Sequence, residues 1–165
     1  MPKPAIPFSP EMVDFLQSPL AVQVAACSPS LRPSSTRGFG CVVERDWRTL
    51  CLVVNEAQAA RCLEDLGRSD RLSVNLSHVV DFRGVQIKGR LLEMRVATAA
   101  EERAAQDYFR RLVDAITTIG VSAESTRGFW KTGPMRVLRM EAEALFEQTP
   151  GAGAGARLET TWKRL

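Results

Sequence analysis

Features that define several other classes of protein are absent from this sequence. Its 165 residues contain no apolar run near the roughly 20 residues that a membrane-spanning helix needs, and the proline-rich start lacks the apolar core of a signal peptide. The 22 lysines and arginines are interleaved with 19 acidic residues and not clustered as on a nucleic-acid-binding surface. We therefore expect a cytoplasmic protein that binds neither membranes nor nucleic acids.

The residues needed for a metal site are also scarce. His78 is the only histidine, which excludes a multi-histidine metal site, and we expect it to be a turn or surface residue. The cysteines, Cys27, Cys41, Cys51 and Cys62, include no C-x-x-C pair, so a zinc site is not expected. Three of them lie in apolar, strand-like surroundings. We expect them to be reduced and buried, and to act as small hydrophobic residues.

The sequence contains enough hydrophobic residues to form one core. Hydrophobic residues make up 45% of the chain and charged residues 25%, which is typical of a soluble globular domain. The length suits a single domain over residues 1–165. Within it we expect an N-terminal arm over 1–8 and a flexible Gly/Ala-rich connector over 149–156.

Short apolar runs separated by turn residues predict a mainly antiparallel sheet. Strands are expected at 20–27, 33–44, 49–54, 72–77, 84–96 and 135–145, with a further short strand in the tail 157–165. Gly38 and Gly40 in the second strand suggest a bulge or a close approach of backbone to a ligand. Only one strand–helix–strand unit is long enough for a parallel crossover. The pattern therefore favours an α+β fold with a small barrel or curled sheet.

Three helices are predicted from their caps. The first starts at Ser9-Pro10 and ends before Pro19. The second runs from the N-cap Asn55 to Leu66, with Gly67 as its stop. The third begins at a capping box, ends near Gly120, and has an expected apolar stripe of Tyr108, Leu112, Ala115, Ile116 and Ile119.

A phosphate site is suggested where the third strand meets the second helix. The strand ending at Asn55 delivers the chain to a helix start, and Arg61 follows in the second turn. A helix N-terminus beside a cation is suited to holding a phosphate group. The alternative for Arg61 is a surface ion pair with Asp65, four residues on, which contributes only about 0.3–0.5 kcal/mol.

The order of elements and several short motifs resemble the pyridoxamine 5′-phosphate oxidase-like family, the FMN-binding split barrels. The motifs are the Arg32-Pro33 turn, the strand segment 36–40, the helix with Gln58 and Arg61, and the segment 83–89. The resemblance covers residues 10–148. It implies a six-stranded Greek-key split β-barrel with flanking helices, and a homodimer that holds FMN at its interface with both chains contributing.

The same resemblance implies a set of cofactor contacts. They are Thr36, Arg37, Gly38, Val54, Asn55, Gln58, Arg61, Arg83, Gln86 and Lys88. Gly84 stands where the family usually has glutamine, and Arg61 alone supplies the charge that the family places in a Ser-Arg-Lys-like run. Lys88 has the alternative of a polar outer barrel face. Phe129 and Trp130 are expected core or dimer contacts, with flavin stacking as the alternative.

The implied function is an FMN-dependent oxidoreductase acting on an unidentified small molecule. Oxidases of this family end with an Arg-x-His run that grips their phosphorylated substrate, whereas this chain has Arg157-Leu158-Glu159 in the comparable place. Pyridoxine phosphate is therefore not the expected substrate. The alternatives are a deazaflavin-dependent reductase on the same fold, a non-catalytic flavin or haem binder, and an interaction module without a cofactor.

Overall fold

One antiparallel sheet of seven strands forms the body of the protein. The computed structural model describes residues 7–158 and contains the strands β1 (Leu20–Cys27), β2 (Pro33–Val43), β3 (Thr49–Asn55), β4 (Arg71–His78), β5 (Gly84–Val96), β6 (Met135–Glu147) and β7 (Arg157–Leu158). Their order is β3-β2-β1-β4-β5-β6-β7, and an additional β3–β6 pairing closes the first six strands into a barrel. The expected α+β split barrel with flanking helices is confirmed.

Four helices accompany the barrel within the described range. They are α1 (Pro10–Leu16), α2 (Glu56–Arg68), α3 (Ala99–Thr117) and α4 (Ala123–Arg127). The prediction that Gly67 stops the second helix is wrong, because α2 continues to Arg68 and Ser69 leaves it in an extended conformation. The short helix α4 has no counterpart among the sequence predictions.

Alternation along the strands fills the barrel. In β1, Leu20, Val22, Val24 and Ala26 are buried, while the residues between them are at least partly exposed. Because side chains alternate across a strand, the buried set points into the barrel and joins a core cluster with Leu76, Ile87 and Leu138.

The apolar face of α3 differs from the predicted stripe. Its buried residues are Ala105, Tyr108, Phe109, Leu112 and Val113. Ile119 lies beyond the end of the helix and is 43% exposed. The shift arises because α3 packs through Phe109 and Val113 onto a second core cluster on the outside of the barrel, around Phe39 of β2.

Strand β6 changes neighbours along its length. Its first half pairs with β3, from Met135 opposite Asn55 to Glu141 opposite Thr49. Its second half pairs with β7 at Leu145 and Phe146, on the side where β3 has ended. Because β5 lies along its other edge throughout, β6 is the strand that closes the barrel.

The four cysteines are free thiols, as expected. The expected burial holds for Cys41 and Cys62, but it is wrong for Cys27 and Cys51, which are partly exposed. Burial raises the pKa of the Cys41 thiol to about 12, and burial together with a hydrogen bond to Glu44 does the same for Cys51. At neutral pH both are therefore protonated and poor nucleophiles.

Membrane-spanning helices were also sought in the described part of the chain. No helix there is both long enough and apolar enough to cross a bilayer. The predicted single domain, the arm over 1–8 and the flexibility of 149–156 stay predictions. Residues 1–6 of the arm and 159–165 of the tail lie outside the described residues.

Candidate functional site

Three of the predicted contact residues meet at one outer corner of the barrel. This β2–α2 corner consists of Arg37 on β2, Asn55 and Gln58 at the start of α2, and the segment 129–134 between α4 and β6. The two parts that meet here are more than seventy residues apart in the chain. Their convergence is visible only in the folded structure.

Hydrogen bonds tie segment 129–134 to the start of α2. Buried Asn55 accepts a hydrogen bond from the Gln58 backbone N–H (3.1 Å) and donates one from Nδ2 to the carbonyl of Lys131 (3.1 Å). The Gln58 side chain donates to the carbonyl of Phe129 at 3.2 Å. The backbone N–H of Glu56 donates to the carbonyl of Pro134 at 2.9 Å. The protein's own carbonyls therefore occupy donors that a phosphate would use.

Arg37 is the cation of the corner. Its guanidinium carbon lies 4.2 Å from the centroid of the Phe129 ring, which supplies a cation–π contact. The residue is half-buried, and no carboxylate among residues 7–158 forms an ion pair with it. A partly buried positive charge without an acidic partner is suited to an anion.

Aromatic packing holds the segment in place behind Arg37. The Trp130 ring centroid is 5.1 Å from that of Phe39 and 5.3 Å from that of Phe109. Phe39 is fully buried and also packs edge-on against Phe109 at 5.6 Å. The core role expected for Trp130 therefore agrees with the structure, while Phe129 beside it is 46% exposed.

Three other predicted contacts face the barrel interior. Thr36 pairs with Val24, Gly38 pairs with Val22, and Val54 is fully buried. A Cβ at Gly38 would lie 2.5 Å from Cγ1 of Val22, so packing inside the barrel requires glycine there. The side chains of Thr36 and Val54 point into the barrel and shape the corner from within. Their contact with a cofactor stays a prediction.

Arg61 forms the ion pair that was its alternative role. Its Nε lies 3.3 Å from Oδ2 of Asp65, one turn further along α2. Asp65 is fully buried and accepts a hydrogen bond from Ser34 Oγ at 2.6 Å. The Ser34 hydrogen bond, followed by that of Arg61, holds the pKa of this carboxyl below its usual range. Because it is committed to a buried carboxylate, Arg61 is a weaker candidate for phosphate binding than Arg37.

The remaining predicted contacts lie elsewhere on the molecule. Gln86 is in register with Arg37 across Gln23 and Asn75, so three strand spacings, about 14 Å, separate them. Lys88 lies further along the same outer face. Arg83 lies at the turn before β5, with its guanidinium carbon 5.5 Å from the Phe15 ring centroid. One copy of the chain therefore does not bring these residues to the corner.

Arg136 was missed by the sequence analysis. It lies at the start of β6, opposite Val54, and one of its guanidinium nitrogens is 3.7 Å from Oε2 of Glu56. Its Nε is buried and has no hydrogen-bond partner among the described residues. Such an orphaned donor beside the start of α2 is a further possible ligand contact. The sequence offered no signal beyond a charged residue at a strand start.

Metal ligation has no support in the described residues. No group of three or more histidine, cysteine or acidic residues there could hold a metal ion. His78 ends β4, and its Nδ1 lies 2.8 Å from Oδ1 of Asp81 in the following turn. The only histidine therefore lies at the end of a strand, beside the turn, with a partly exposed side chain.

Comparison with solved structures shows the fold. HupZ of Group A Streptococcus superimposes with a TM-score of 0.54 at 16% identity, covering 90% of this chain and 99% of HupZ. An F420 reductase gives 0.53 at 11% identity, over 80% and 93% of the two chains. A proposed pyridoxamine 5′-phosphate oxidase from Lactobacillus delbrueckii also gives 0.53 at 11% identity, over 85% and 93%.

These proteins share the split-barrel fold with this chain, so the resemblance drawn from the sequence is confirmed at the level of the fold. No family model matches the sequence, and no curated protein does. At such low identity the likeness carries no assignment of activity.

Proposed function

We propose that the protein binds a flavin-type cofactor, FMN or a deazaflavin, at the β2–α2 corner and acts as an oxidoreductase on a small molecule. The observation that carries the proposal is Arg37, a half-buried cation with no acidic partner in the described residues. Two neighbours in fold support the cofactor class by their names, one an F420 reductase and the other a proposed pyridoxamine 5′-phosphate oxidase.

The cofactor phosphate fits beside Arg37 better than at the start of α2. The guanidinium can form charge-assisted, bidentate hydrogen bonds to phosphate oxygens. The N–H of Glu56 and the amide of Gln58 already donate to segment 129–134. In this proposal Asn55 and Gln58 therefore position Phe129, and Phe129 supports Arg37.

The bound flavin would supply the redox chemistry, and the protein would supply binding and orientation. The exposed Phe129 ring offers an apolar surface next to the cation, which suits a cofactor with both a phosphate and an aromatic ring system. We propose that the substrate is a small molecule.

A homodimer is part of the proposal. Within residues 7–158 no helix packs extensively on β4 or β5, whereas α2 contacts β1. The central row of the outer surface of β1, β4 and β5 consists of the uncharged residues Gln23, Asn75 and Gln86. A second copy on this surface would bring its own side chains towards the first copy's cofactor. Sedimentation velocity of the purified protein tests this, and a monomer at all concentrations would contradict it.

The first experiment is an absorbance spectrum of the protein after incubation with FMN or F420 and gel filtration. We expect flavin or deazaflavin absorbance to co-elute with the protein. Arg37→Gln should weaken retention about 10- to 100-fold, because a hydrogen bond to a charged group contributes about 1.5–3 kcal/mol. The matched control is Arg61→Gln, which should retain the cofactor because Arg61 pairs with Asp65.

Two results would overturn parts of this proposal. If neither cofactor is retained and neither raises the melting temperature, the flavin site is wrong. If Arg61→Gln loses the cofactor while Arg37→Gln keeps it, the phosphate lies on α2 and not at Arg37. Reduction of the retained cofactor by NADH or NADPH, followed by turnover with an added acceptor, then separates an oxidoreductase from a binding protein.

A further inference from the structure

A concave site lies on the outer face of the barrel, away from the β2–α2 corner. It is a groove of about 440 Å³ across β1, β4, β5 and β6, and β7 forms its wall. This volume is within the range of small-molecule sites, about 300–1,000 Å³. It shares no lining residue with the corner.

The floor of the groove is formed by small side chains in one row of the sheet. Ala25, Ser73 and Ala144 lie in register across β1, β4, β5 and β6, with Lys88 between the last two. The Ser73 hydroxyl is buried and has no hydrogen-bond partner among the described residues. A buried hydroxyl normally has a partner, so it offers a hydrogen bond to an occupant of the groove.

The rim of the groove carries positive charge. Arg71 is paired with Glu143, which also lines the groove. Lys88 and Arg157 form no ion pair with any carboxylate in the described range. The Lys88 ammonium instead lies 4.9 Å from the centroid of the Phe146 ring. Two unneutralised cations and an aromatic ring therefore surround an apolar floor.

We propose that this groove binds a small aromatic carboxylate. Lys88 and Arg157 hold the carboxylate, Ser73 donates a hydrogen bond to one of its oxygens, and the aromatic body lies on Ala25 and Ala144 against Phe146. The charge selects an anion, while the small floor and the ring select a flat apolar body. The site uses neither Arg37 nor segment 129–134, so it does not rest on the flavin contacts. It lies on the same outer surface as the proposed homodimer contact, so the proposal requires that a second copy leave Lys88 and Arg157 accessible.

The test uses 2-naphthoate as the probe and the purified full-length chain without added cofactor, with binding measured by calorimetry. We expect saturable binding at one site per chain. Lys88→Gln and Arg157→Gln should each weaken it about 10-fold or more, because each removes a hydrogen bond from a charged donor. Arg90→Gln is the matched control: Arg90 is two residues further along β5, pairs with Glu141 at 3.4 Å and does not line the groove.

A second arm locates the probe and tests the role of charge. 2-Naphthylmethanol has the same ring system without the carboxylate and should bind at least 10-fold more weakly. Backbone amide shifts in NMR spectra should be largest around Ser73 and Ala144. Thermal unfolding of the variants checks their folding, since Lys88 and Arg157 are both exposed.

Several outcomes would overturn the inference. They are an absence of saturable binding, an equal loss of affinity in Arg90→Gln, and equal binding of the uncharged alcohol. Displacement of 2-naphthoate by FMN would also overturn it, because the groove would then belong to the cofactor site. Failure of FMN to bind anywhere on the protein would contradict the flavin proposal but not the proposal for this groove.

Discussion

The two halves of the outer barrel surface differ in what covers them. The covered half, over β2, β3 and the start of β6, lies under α3 and contains the packed rings of Phe39, Phe109 and Trp130. The open half, over β1, β4, β5 and the end of β6, presents residues such as Gln23, Asn75, Gln86 and Phe146. Both halves share one barrel interior, so they differ only in the residues that point outward.

The covered half contributes mainly to the stability of the fold, whereas the open half is the one available for binding. Outward apolar residues on the covered half are removed from water and contribute to folding. The open half is polar enough to face water, and it contains the groove proposed as a ligand site. The β2–α2 corner lies at the border between the halves. There, packing by Trp130 fixes segment 129–134 while Arg37 stays accessible.

The difference between the two halves is tested most directly by removing one aromatic side chain from each. Phe39→Ala should lower the free energy of unfolding by about 3–5 kcal/mol, because it deletes a fully buried aromatic side chain. Phe146→Ala on the open half should cost about 1 kcal/mol or less, since that ring is only partly buried. Urea unfolding measures both. Equal losses would show that the open half is covered in solution.

A second pair of substitutions separates backbone crowding from surface exposure. A Cβ at Gly89 of β5 would lie 2.0 Å from the carbonyl oxygen of Glu141 on β6, so Gly89→Ala should destabilise the protein by about 1–3 kcal/mol.

Gly67 in α2 is the matched control. A Cβ at this position would have no neighbouring atom within 4 Å, so Gly67→Ala should stabilise the protein by about 0.5–1 kcal/mol. Thermal and urea unfolding provide the readout for both glycines. A neutral Gly89→Ala would mean that β5 and β6 separate easily at this point.

The last prediction concerns the start of α3, the helix that lies over the covered half. Glu101 receives hydrogen bonds from Arg95 at 2.7 and 2.8 Å and from the Thr98 backbone, and the Arg95 contact foremost lowers its pKa to about 2. Glu101→Gln should cost about 1 kcal/mol near neutral pH, where the carboxylate caps the helix.

The pH dependence of that cost has a definite sign. Because the folded-state pKa lies below the unfolded value of about 4.3, the stabilisation is fully present above pH ~4.3 and is lost as the pH falls through about 2. Urea midpoints of wild type and Glu101→Gln should therefore converge on acidification. Glu102→Gln, in the same turn, is the control and should show no such convergence.

The sequence predicted most of the fold because alternation and caps are local signals. The Thr98–Glu101 capping box, the Asn55 cap and the six barrel strands were all found from neighbouring residues. The predicted end of α2 at Gly67 was wrong because a helix tolerates a glycine in its last turn, and α2 includes Gly67 and ends at Arg68. The prediction of which α3 residues are buried was partly wrong. Phe109 and Val113 are buried because they pack in one cluster with Phe39, which is far away in the sequence.

The candidate site was predictable only in part for the same reason. Asn55 was identified from its position at a strand–helix turn, and Arg37 and Gln58 from the family resemblance. Nothing local revealed that the carbonyls of Phe129 and Lys131 take up the donors of that turn. The accessible cation at Arg37 and the orphaned Nε of Arg136 depend on the same long-range packing.

The position of β6 has a consequence for biosynthesis. The barrel closes only when Met135–Glu147 pairs with β3, a strand laid down far earlier in the chain. Until β6 leaves the ribosome, β3 and β5 each present an unpaired edge, and such edges recruit other strands. Closure is therefore a late, high-contact-order step, which makes it slow relative to formation of the local hairpins. Nascent chains that stall before β6 are the species that a chaperone would have to shield.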